Sequence, residues 1–194
     1  VIQEEGGTVN AINKAVKYAR KFVQEASLVQ KEEIPLSELF IGLECGGSDA
    51  TSGLAANPVV GKVSDLVVDN GGSAVMSETT EFIGAEHILA KRAATPEIKK
   101  QIIGICKNLE EHLANVHQNL RTGQPTPGNK EGGISTIEEK SLGCIYKGGT
   151  RPIVEVLDYA HMPTKKGALI MDTPGFDVAS VMAMVAGGCQ VIIF

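Results

Sequence analysis

Alternating apolar and polar stretches divide the sequence into short buried strands and amphipathic helices. Four short apolar runs have the length and residue types of buried strands, at residues 38–44, 73–77, 167–171 and 189–194. Between them, hydrophobic residues recur every three or four positions, which is typical of helices. These helices are predicted at residues 8–25, 57–70, 80–92, 96–121, 135–146 and 176–186, with a shorter one beginning near Thr150 and Pro152. Strands that alternate with helices indicate an α/β fold with a mainly parallel sheet flanked by helices, a Rossmann-like variant.

Two local signals mark where helices begin. Asn57 followed by Pro58 predicts an N-cap and a first helical residue. Ser135 with Glu138 three residues later has the pattern of a capping box. The helix predicted at 96–121 carries one continuous apolar stripe. That stripe can pack on its own sheet or against a second copy of the chain in a homodimer, and the pattern leaves both arrangements open.

Composition and charge narrow the possible functions. The 194 residues suffice for one α/β domain over 1–194. The net charge of −5 argues against the basic patch that nucleic-acid binding needs. The sequence has no signal peptide and no apolar run that could span a membrane, so we expect a cytoplasmic protein. Four widely spaced cysteines without a C-x-x-C pair predict free thiols.

Polar residues follow the predicted strands directly, where ligands bind in open α/β sheets. They are Glu44, Cys45, Ser48 and Asp49 after the first strand, Ser77, Glu78, Glu81 and His87 after the second, and Asp172, Thr173 and Asp177 after the third. Thiolate, carboxylate and imidazole groups at one edge could hold a divalent metal. Structural roles are open as well, because Cys45 can pack as a small apolar residue and His87 can be solvated on a helix. Glu78 and Glu81 can complement a helix dipole.

A second informative stretch is the loop PTPGNKEGG and the helix after it. Asn129 and Lys130 stand just before a predicted helix N-terminus, where backbone N–H groups favour an anion such as a carboxylate. Glu139 and Lys140 are neighbours in that helix. They could share acid/base work if they are buried together, or form part of a solvated helix surface.

Four longer stretches carry a combined pattern that is more specific than any single motif. They are GLECGGSDATSGLAANPVVG, SETTEFIGAEH, PTPGNKEGGISTIEEKSLGCIYKGG and MDTPGFDVASVMAMVAGGCQVIIF. Together they resemble the altronate dehydratase and galactarate dehydratase family, which also includes the large subunit of sulfolactate sulfo-lyase. The resemblance begins near residue 38 and is to the catalytic C-terminal region of these enzymes. Family members begin further upstream and continue past the last strand, so we expect this chain to be a fragment with segments missing on both sides.

The resemblance implies a lyase that acts on a sugar acid such as altronate or galactarate. The reaction removes the proton α to the carboxylate and expels the β-hydroxyl as water, which gives a 2-keto-3-deoxy acid. It also implies a divalent metal, with Fe(II) favoured and Mn(II) as the alternative. A cation would stabilise the negative charge that proton loss builds on the carboxylate. The alternatives are a carbon–sulfur lyase acting on sulfolactate and a non-catalytic module for small-molecule binding or dimerisation.

Matching the family's motifs residue by residue gives candidate metal ligands and a base. Cys45 and Asp49 match C-G-G-S-D, and we expect them to contact the metal or the substrate. Glu78 and Glu81 match S-E-x-x-E, with Glu78 expected as a ligand and Glu81 as a base. His87 is a further expected ligand.

The same matching gives candidate residues for substrate binding and acid/base work. Ser48 belongs to C-G-G-S-D, and Asn129 and Lys130 match P-G-N-K, so we expect these three to bind the substrate. Glu139 and Lys140 match the E-K motif and are expected to act in acid/base catalysis.

Overall fold

The computed structural model describes residues 1–194 as two compact units, Val1–Ile34 and Pro35–Phe194. The first unit contains helix α1 (Thr8–Leu28), which buries none of its residues. The helix predicted at 8–25 is therefore confirmed and extends three residues further. The sheet lies wholly in the second unit. That residues 1–194 form one domain stays a prediction.

The second unit contains one sheet of five parallel strands. They are β1 (Phe40–Leu43), β2 (Ser73–Met76), β3 (Ile153–Leu157), β4 (Ala168–Met171) and β5 (Val191–Ile193). Their order across the sheet is β3-β4-β2-β1-β5, and every neighbouring pair is parallel. The α/β fold class and all four predicted strands are therefore confirmed.

Strand β3 corrects the prediction of a short helix after Thr150 and Pro152. Its five residues, IVEVL, pair in parallel with β4 and bury Ile153 and Leu157. Three of the five are β-branched, and such side chains favour extended backbone. The prediction was wrong because it weighted the Thr-x-Pro signal above the strand propensity of the residues that follow.

Seven α-helices follow α1 along the chain. They are α2 (Asn57–Asp69), α3 (Glu86–Leu89), α4 (Pro96–Asn115), α5 (Leu120–Gly123), α6 (Pro127–Glu131), α7 (Ile137–Cys144) and α8 (Asp177–Ala186). None of the helices combines the length and apolarity needed to cross a bilayer.

Two predicted helices lose the most residues in the structure. Helix α4 ends at Asn115 rather than near residue 121, and the chain turns where His117 has a φ of 56°. The helix predicted at 80–92 is reduced to α3 between two short 3-10 turns, at Thr79–Glu81 and Ala90–Arg92. Helical periodicity persists through both breaks, so the pattern alone does not reveal them.

The predicted helix caps also differ from the observed ones. Thr136, not Ser135, caps α7, since its Oγ1 accepts a hydrogen bond from the Glu139 N–H at 3.1 Å. Ser135 instead donates from its backbone N to the Glu139 carboxylate over 2.7 Å. Asn57 does not cap α2, because it is already helical (φ −62°, ψ −42°) and directly follows a π-helical turn at Ser52–Ala56. Its Nδ2 donates to the Gly143 carbonyl over 3.0 Å. That bond connects the start of α2 to the end of α7.

Alternate strand residues form two apolar clusters, one on each face of the sheet. One cluster contains Met76 of β2 and the buried face of α4, including Ile102. The other contains Val75 of β2 and Met184 of α8. The apolar stripe of α4 thus packs on the chain's own core. With both faces covered, the polar residues at the carboxyl ends of the strands remain available for a site.

Candidate functional site

The loop after β1 brings a thiol and a hydroxyl together at the carboxyl edge of the sheet. The Sγ of Cys45 lies 2.9 Å from the Oγ of Ser48. Asn129 of α6 donates from Nδ2 to the Ser48 carbonyl over 2.9 Å. The Ala50 N–H donates to the carbonyl of Gly132, just after α6, over 2.9 Å. Helix α6 and the residue after it therefore hold this loop in position.

Glu78, two residues after β2, connects the ends of three strands. Its φ of 61° lies in the left-handed region, which is uncommon for a residue with a side chain. Its backbone N–H donates to Oγ1 of Thr173, beyond β4, over 2.6 Å. Its Oε2 accepts a hydrogen bond from the Cys45 N–H at 2.8 Å. The strained backbone thus directs the Glu78 carboxylate towards the β1 loop.

Glu81 is buried among a thiol and two ammonium groups. Its side chain is 1% exposed and forms a hydrogen-bonded ion pair with Lys147, whose side chain is 4% exposed. The Cys144 thiol donates to Oε1 of Glu81 over 3.0 Å. The Nζ of Lys140 lies 4.0 Å from the same oxygen, and the Lys140 side chain is 15% exposed. Because the charge of Glu81 is compensated, it can remain ionised in this buried position.

Cys45, Glu78 and Glu81 converge, since each places one ligand-type atom within 4.8 Å of the other two. Burial and the charges of Glu81 and Glu44 raise the pKa of Glu78 to about 9. Burial alone would raise the pKa of Glu81, but the Lys147 charge and its hydrogen bonds outweigh this and hold the pKa below its usual value. A hydrogen bond with Cys144 lowers the pKa of the Cys45 thiol against the effect of burial. Two neighbouring carboxylates therefore have pKa values moved in opposite directions.

Two cavities that share several lining residues open onto this region. The smaller is about 180 Å³ and includes Cys45, Cys144 and Lys147 in its wall. The larger is about 290 Å³ and includes Lys140. Ser48 and Cys144 line both cavities, whereas Glu78 and Glu81 line neither. The reactive groups in these cavity walls are therefore the thiols, the lysines and the carboxylates of Glu44, Asp49 and Glu139.

Comparison with known proteins assigns the family. Residues 36–194 match the family described as D-galactarate/altronate dehydratase, C-terminal. The chain belongs to this family. The resemblance that the sequence motifs indicated is thereby confirmed.

Curated members of the dehydratase family align with nearly the whole chain. Altronate dehydratase of Bacillus subtilis (strain 168) is 40% identical over 191 residues, which are 98% of this chain and 38% of that protein. Galactarate dehydratase (L-threo-forming) of Escherichia coli (strain K12) is 39% identical over 188 residues, 97% of this chain and 36% of that protein. Subunit beta of (2R)-sulfolactate sulfo-lyase from Chromohalobacter salexigens is 40% identical over 190 residues, 95% of this chain and 48% of that protein. The chain thus spans between about a third and a half of these relatives.

Two of the metal ligands expected from the dehydratase motifs lie in the convergent cluster, and two lie outside it. Cys45 and Glu78 belong to the cluster. The Oδ1 of Asp49 accepts hydrogen bonds from the Thr51 hydroxyl and the Ser52 N–H, at 2.7 and 2.8 Å. These bonds lower the pKa of Asp49 and fit the turn role that a short acidic residue often has. His87 is exposed on α3 and belongs to neither group of potential ligands.

The expected substrate-binding residues are also divided. Ser48 lines both cavities. Asn129 is buried and forms a capping box with Thr126 at the start of α6, so its contact with the β1 loop is structural. Lys130 is exposed on α6 and lines neither cavity. Of this group, Ser48 alone is placed to meet a ligand in these cavities.

The expected acid/base residues meet different partners from those the motif suggested. Glu139 is exposed, and the Ser135 hydroxyl and N–H, which lower its pKa, bind its carboxylate. Lys140 instead approaches Glu81, from another segment of the chain. Lys140 and Glu139 both line the larger cavity, but the carboxylate that Lys140 approaches is that of Glu81, which lines neither cavity.

The sequence motifs did not single out Lys147, the ion-pair partner of Glu81. A signal was available, because Lys140, Cys144 and Lys147 are spaced i, i+4 and i+7. That spacing puts three side chains on one face of a helix. In the structure all three approach Glu81.

Proposed function

We propose that the protein is a hydro-lyase that dehydrates a sugar acid such as altronate or galactarate. Removal of the α-proton and loss of the β-hydroxyl would give a 2-keto-3-deoxy acid. The observation that best supports this is that Lys140 lines the larger cavity and places its Nζ 4.0 Å from Oε1 of the buried Glu81. A partly buried lysine beside an ionised carboxylate is suited to proton transfer.

In this proposal the proton transfer takes place at the Nζ of Lys140. Its side chain reaches the cavity, whereas the Glu81 side chain is 1% exposed and already binds Lys147 and Cys144. Glu81 therefore acts as a positioning residue that holds the Lys140 side chain at the cavity wall. Ser48, in the wall shared by the two cavities, would donate a hydrogen bond to a substrate oxygen.

A divalent cation, with Fe(II) favoured and Mn(II) as the alternative, fits the donors next to this pair. Cys45 offers a sulfur and Glu78 a carboxylate, and these atoms lie within 4.8 Å of each other. Burial and the charges of Glu81 and Glu44 raise the pKa of Glu78, and a cation would relieve the repulsion among these carboxylates. Cys45 and Glu78 would hold the cation, which when bound supplies positive charge for the substrate carboxylate during proton loss.

The proposal predicts that Lys140→Met abolishes most of the activity. Full-length protein, prepared anaerobically with iron, would be incubated with altronate and with galactarate, and keto-acid formation would be measured. Loss of an acid/base group lowers kcat by about 10²–10⁴-fold. The matched control is Lys100→Met, which removes an exposed ammonium from α4. Equal activity in the two variants would contradict the role of Lys140, and no product from either acid would contradict the proposed reaction.

A carbon–sulfur lyase is the second candidate, because the sulfo-lyase subunit named above is as similar to this chain as the altronate dehydratase. Both reactions remove an α-proton and expel a β-substituent. Sulfite release from sulfolactate, without keto-acid formation from the sugar acids, would decide for this alternative.

A further inference from the structure

A third cavity (the Arg92 cavity), of about 280 Å³, has none of the proposed catalytic or metal-binding residues in its wall. The wall is mainly apolar and includes Leu89 of α3, Leu142 of α7 and Ile145 in the 3-10 turn Ile145–Gly148. Arg92 is the one charged residue that lines it, and no carboxylate does. Small-molecule pockets measure about 300–1,000 Å³, so a volume of this size suits a compact and mostly apolar ligand.

The Arg92 guanidinium is held by backbone carbonyls rather than by a carboxylate. Its Nη2 donates to the carbonyls of Gly148 and Arg151 over 2.7 and 2.9 Å, and its Nε donates to the Arg151 carbonyl over 3.3 Å. Its Nη1 makes no hydrogen bond within the protein. Asp65 and Asp69 form their ion pairs with Arg151 instead. The N–H donors of Nη1 therefore remain available for a ligand.

The charge of Arg92 has no opposite charge in contact with it. Burial lowers the pKa of Arg92 to about 10, and the charge of Asp65 offsets this only in part. At neutral pH the group is therefore still a cation. A cation that is removed from water without a counter-charge is destabilised, and the carbonyl partners position this one without neutralising it. A ligand carboxylate would supply the missing negative charge, and its geometry matches that of the planar guanidinium.

We propose that the Arg92 cavity binds a small carboxylate with an apolar body, such as a short-chain aliphatic acid. The ligand carboxylate pairs with the Arg92 guanidinium, and the hydrocarbon part packs against Leu89 and Leu142. A sugar acid fits this wall poorly, because most of its hydroxyl groups would lose water without gaining a partner there. The site is additional to the proposed function and does not depend on the lyase reaction.

Isothermal titration calorimetry of the 194-residue chain with hexanoate tests the site. Acetate carries the charge without the apolar body, and 1-hexanol carries the apolar body without the charge, so both should bind more weakly than hexanoate. Arg92→Met removes the charge and keeps an unbranched side chain. We expect it to weaken hexanoate binding by about tenfold or more, because hydrogen bonds between charged groups are the strong ones. The matched control is Lys91→Met, which removes an exposed cation from the same turn and should leave the affinity unchanged.

Lys140→Met distinguishes the Arg92 cavity from the larger cavity described above, with which it shares Leu142 and Tyr146. This variant should bind hexanoate as the unmodified chain does. Unchanged affinity in Arg92→Met would overturn the proposal, as would an equal loss in Lys91→Met or a loss in Lys140→Met alone. If melting temperatures show that Arg92→Met fails to fold, the ligands decide, since equal binding of hexanoate and 1-hexanol by the unmodified chain also overturns the proposal. These binding data are independent of whether any sugar acid is dehydrated.

Discussion

At the scale of single residues, the main feature of the site is the buried charge of Lys147. It brings a charge to a point where its own side chain is 4% exposed and that of its partner Glu81 is 1% exposed. Burial lowers the pKa of Lys147, but the charge of Glu81 outweighs this and moves it above the usual value. The pair is stable because each charge compensates the other, and neither would be tolerated alone.

We therefore expect Lys147→Met to destabilise the protein by about 3–5 kcal/mol, since the buried Glu81 would lose its hydrogen-bonded ion-pair partner and Lys140, 4.0 Å away, would compensate its charge only in part. Urea denaturation followed by circular dichroism measures this loss. The double variant Lys147→Met/Glu81→Gln removes both charges and should be more stable than Lys147→Met alone. If the double variant is the less stable of the two, the uncompensated charge is not the cause.

The sequence identified site residues that belong to its motifs, but it did not identify the partners that these residues meet from distant segments of the chain. It identified Cys45, Glu78 and Glu81, which do converge. It paired Lys140 with its neighbour Glu139, whereas the fold pairs Lys140 with Glu81, almost 60 residues away. Such pairings depend on which helix packs on which strand end, and local spacing does not contain that information.

At the scale of elements, α2 packs against the turn that carries Lys147. A Cβ added at Gly61 of α2 would lie 2.1 Å from the Tyr146 carbonyl oxygen. Ser64, one turn later, donates from Oγ to the Lys147 carbonyl over 2.8 Å. The close approach of the two backbones thus positions Lys147 through its main chain.

Two glycine-to-alanine variants should have opposite effects. Gly61→Ala forces the Lys147 turn away from α2 and should destabilise the protein by about 1–3 kcal/mol. Gly104→Ala, in α4, meets no atom within 4 Å and should stabilise it by about 0.5–1 kcal/mol, because alanine favours helix. Thermal unfolding of both variants checks the pair. A stabilising Gly61→Ala would show that this contact can relax without penalty.

Periodicity predicted four of the five strands and most of the helices, because binary patterning reflects burial. It did not predict β3, because the three central residues of this strand are only half-buried and do not form a continuous apolar run. Nor did it predict the end of α4 at Asn115, where helical spacing continues but the backbone turns. The β-branched residues of β3 do carry a local preference for extended backbone, whereas the end of α4 is set by tertiary packing.

At the scale of the whole molecule, the chain consists of two compact units with very different burial. Val1–Ile34 contains α1, none of whose residues is buried, whereas Pro35–Phe194 contains the sheet and both apolar clusters. We expect a chain that begins at Pro35 to unfold at the same temperature as the complete chain, within about 2 °C. Differential scanning calorimetry compares the two. A clearly lower melting temperature for the shorter chain would show that α1 contributes to the stability of the α/β unit.

The hydrogen bond from the Cys45 N–H to Glu78 does not depend on which side chain the loop carries at position 45. It is a main-chain contact, so it survives any exchange of the side chain at position 45 except proline. The bonds from Asn129 to the Ser48 carbonyl and from Ala50 to Gly132 likewise use backbone atoms of the loop. Natural variation could therefore change the reactive groups of this loop while its path stays fixed. Lyases with different leaving groups can therefore share this loop, because no compensating mutations are needed to restore its backbone path.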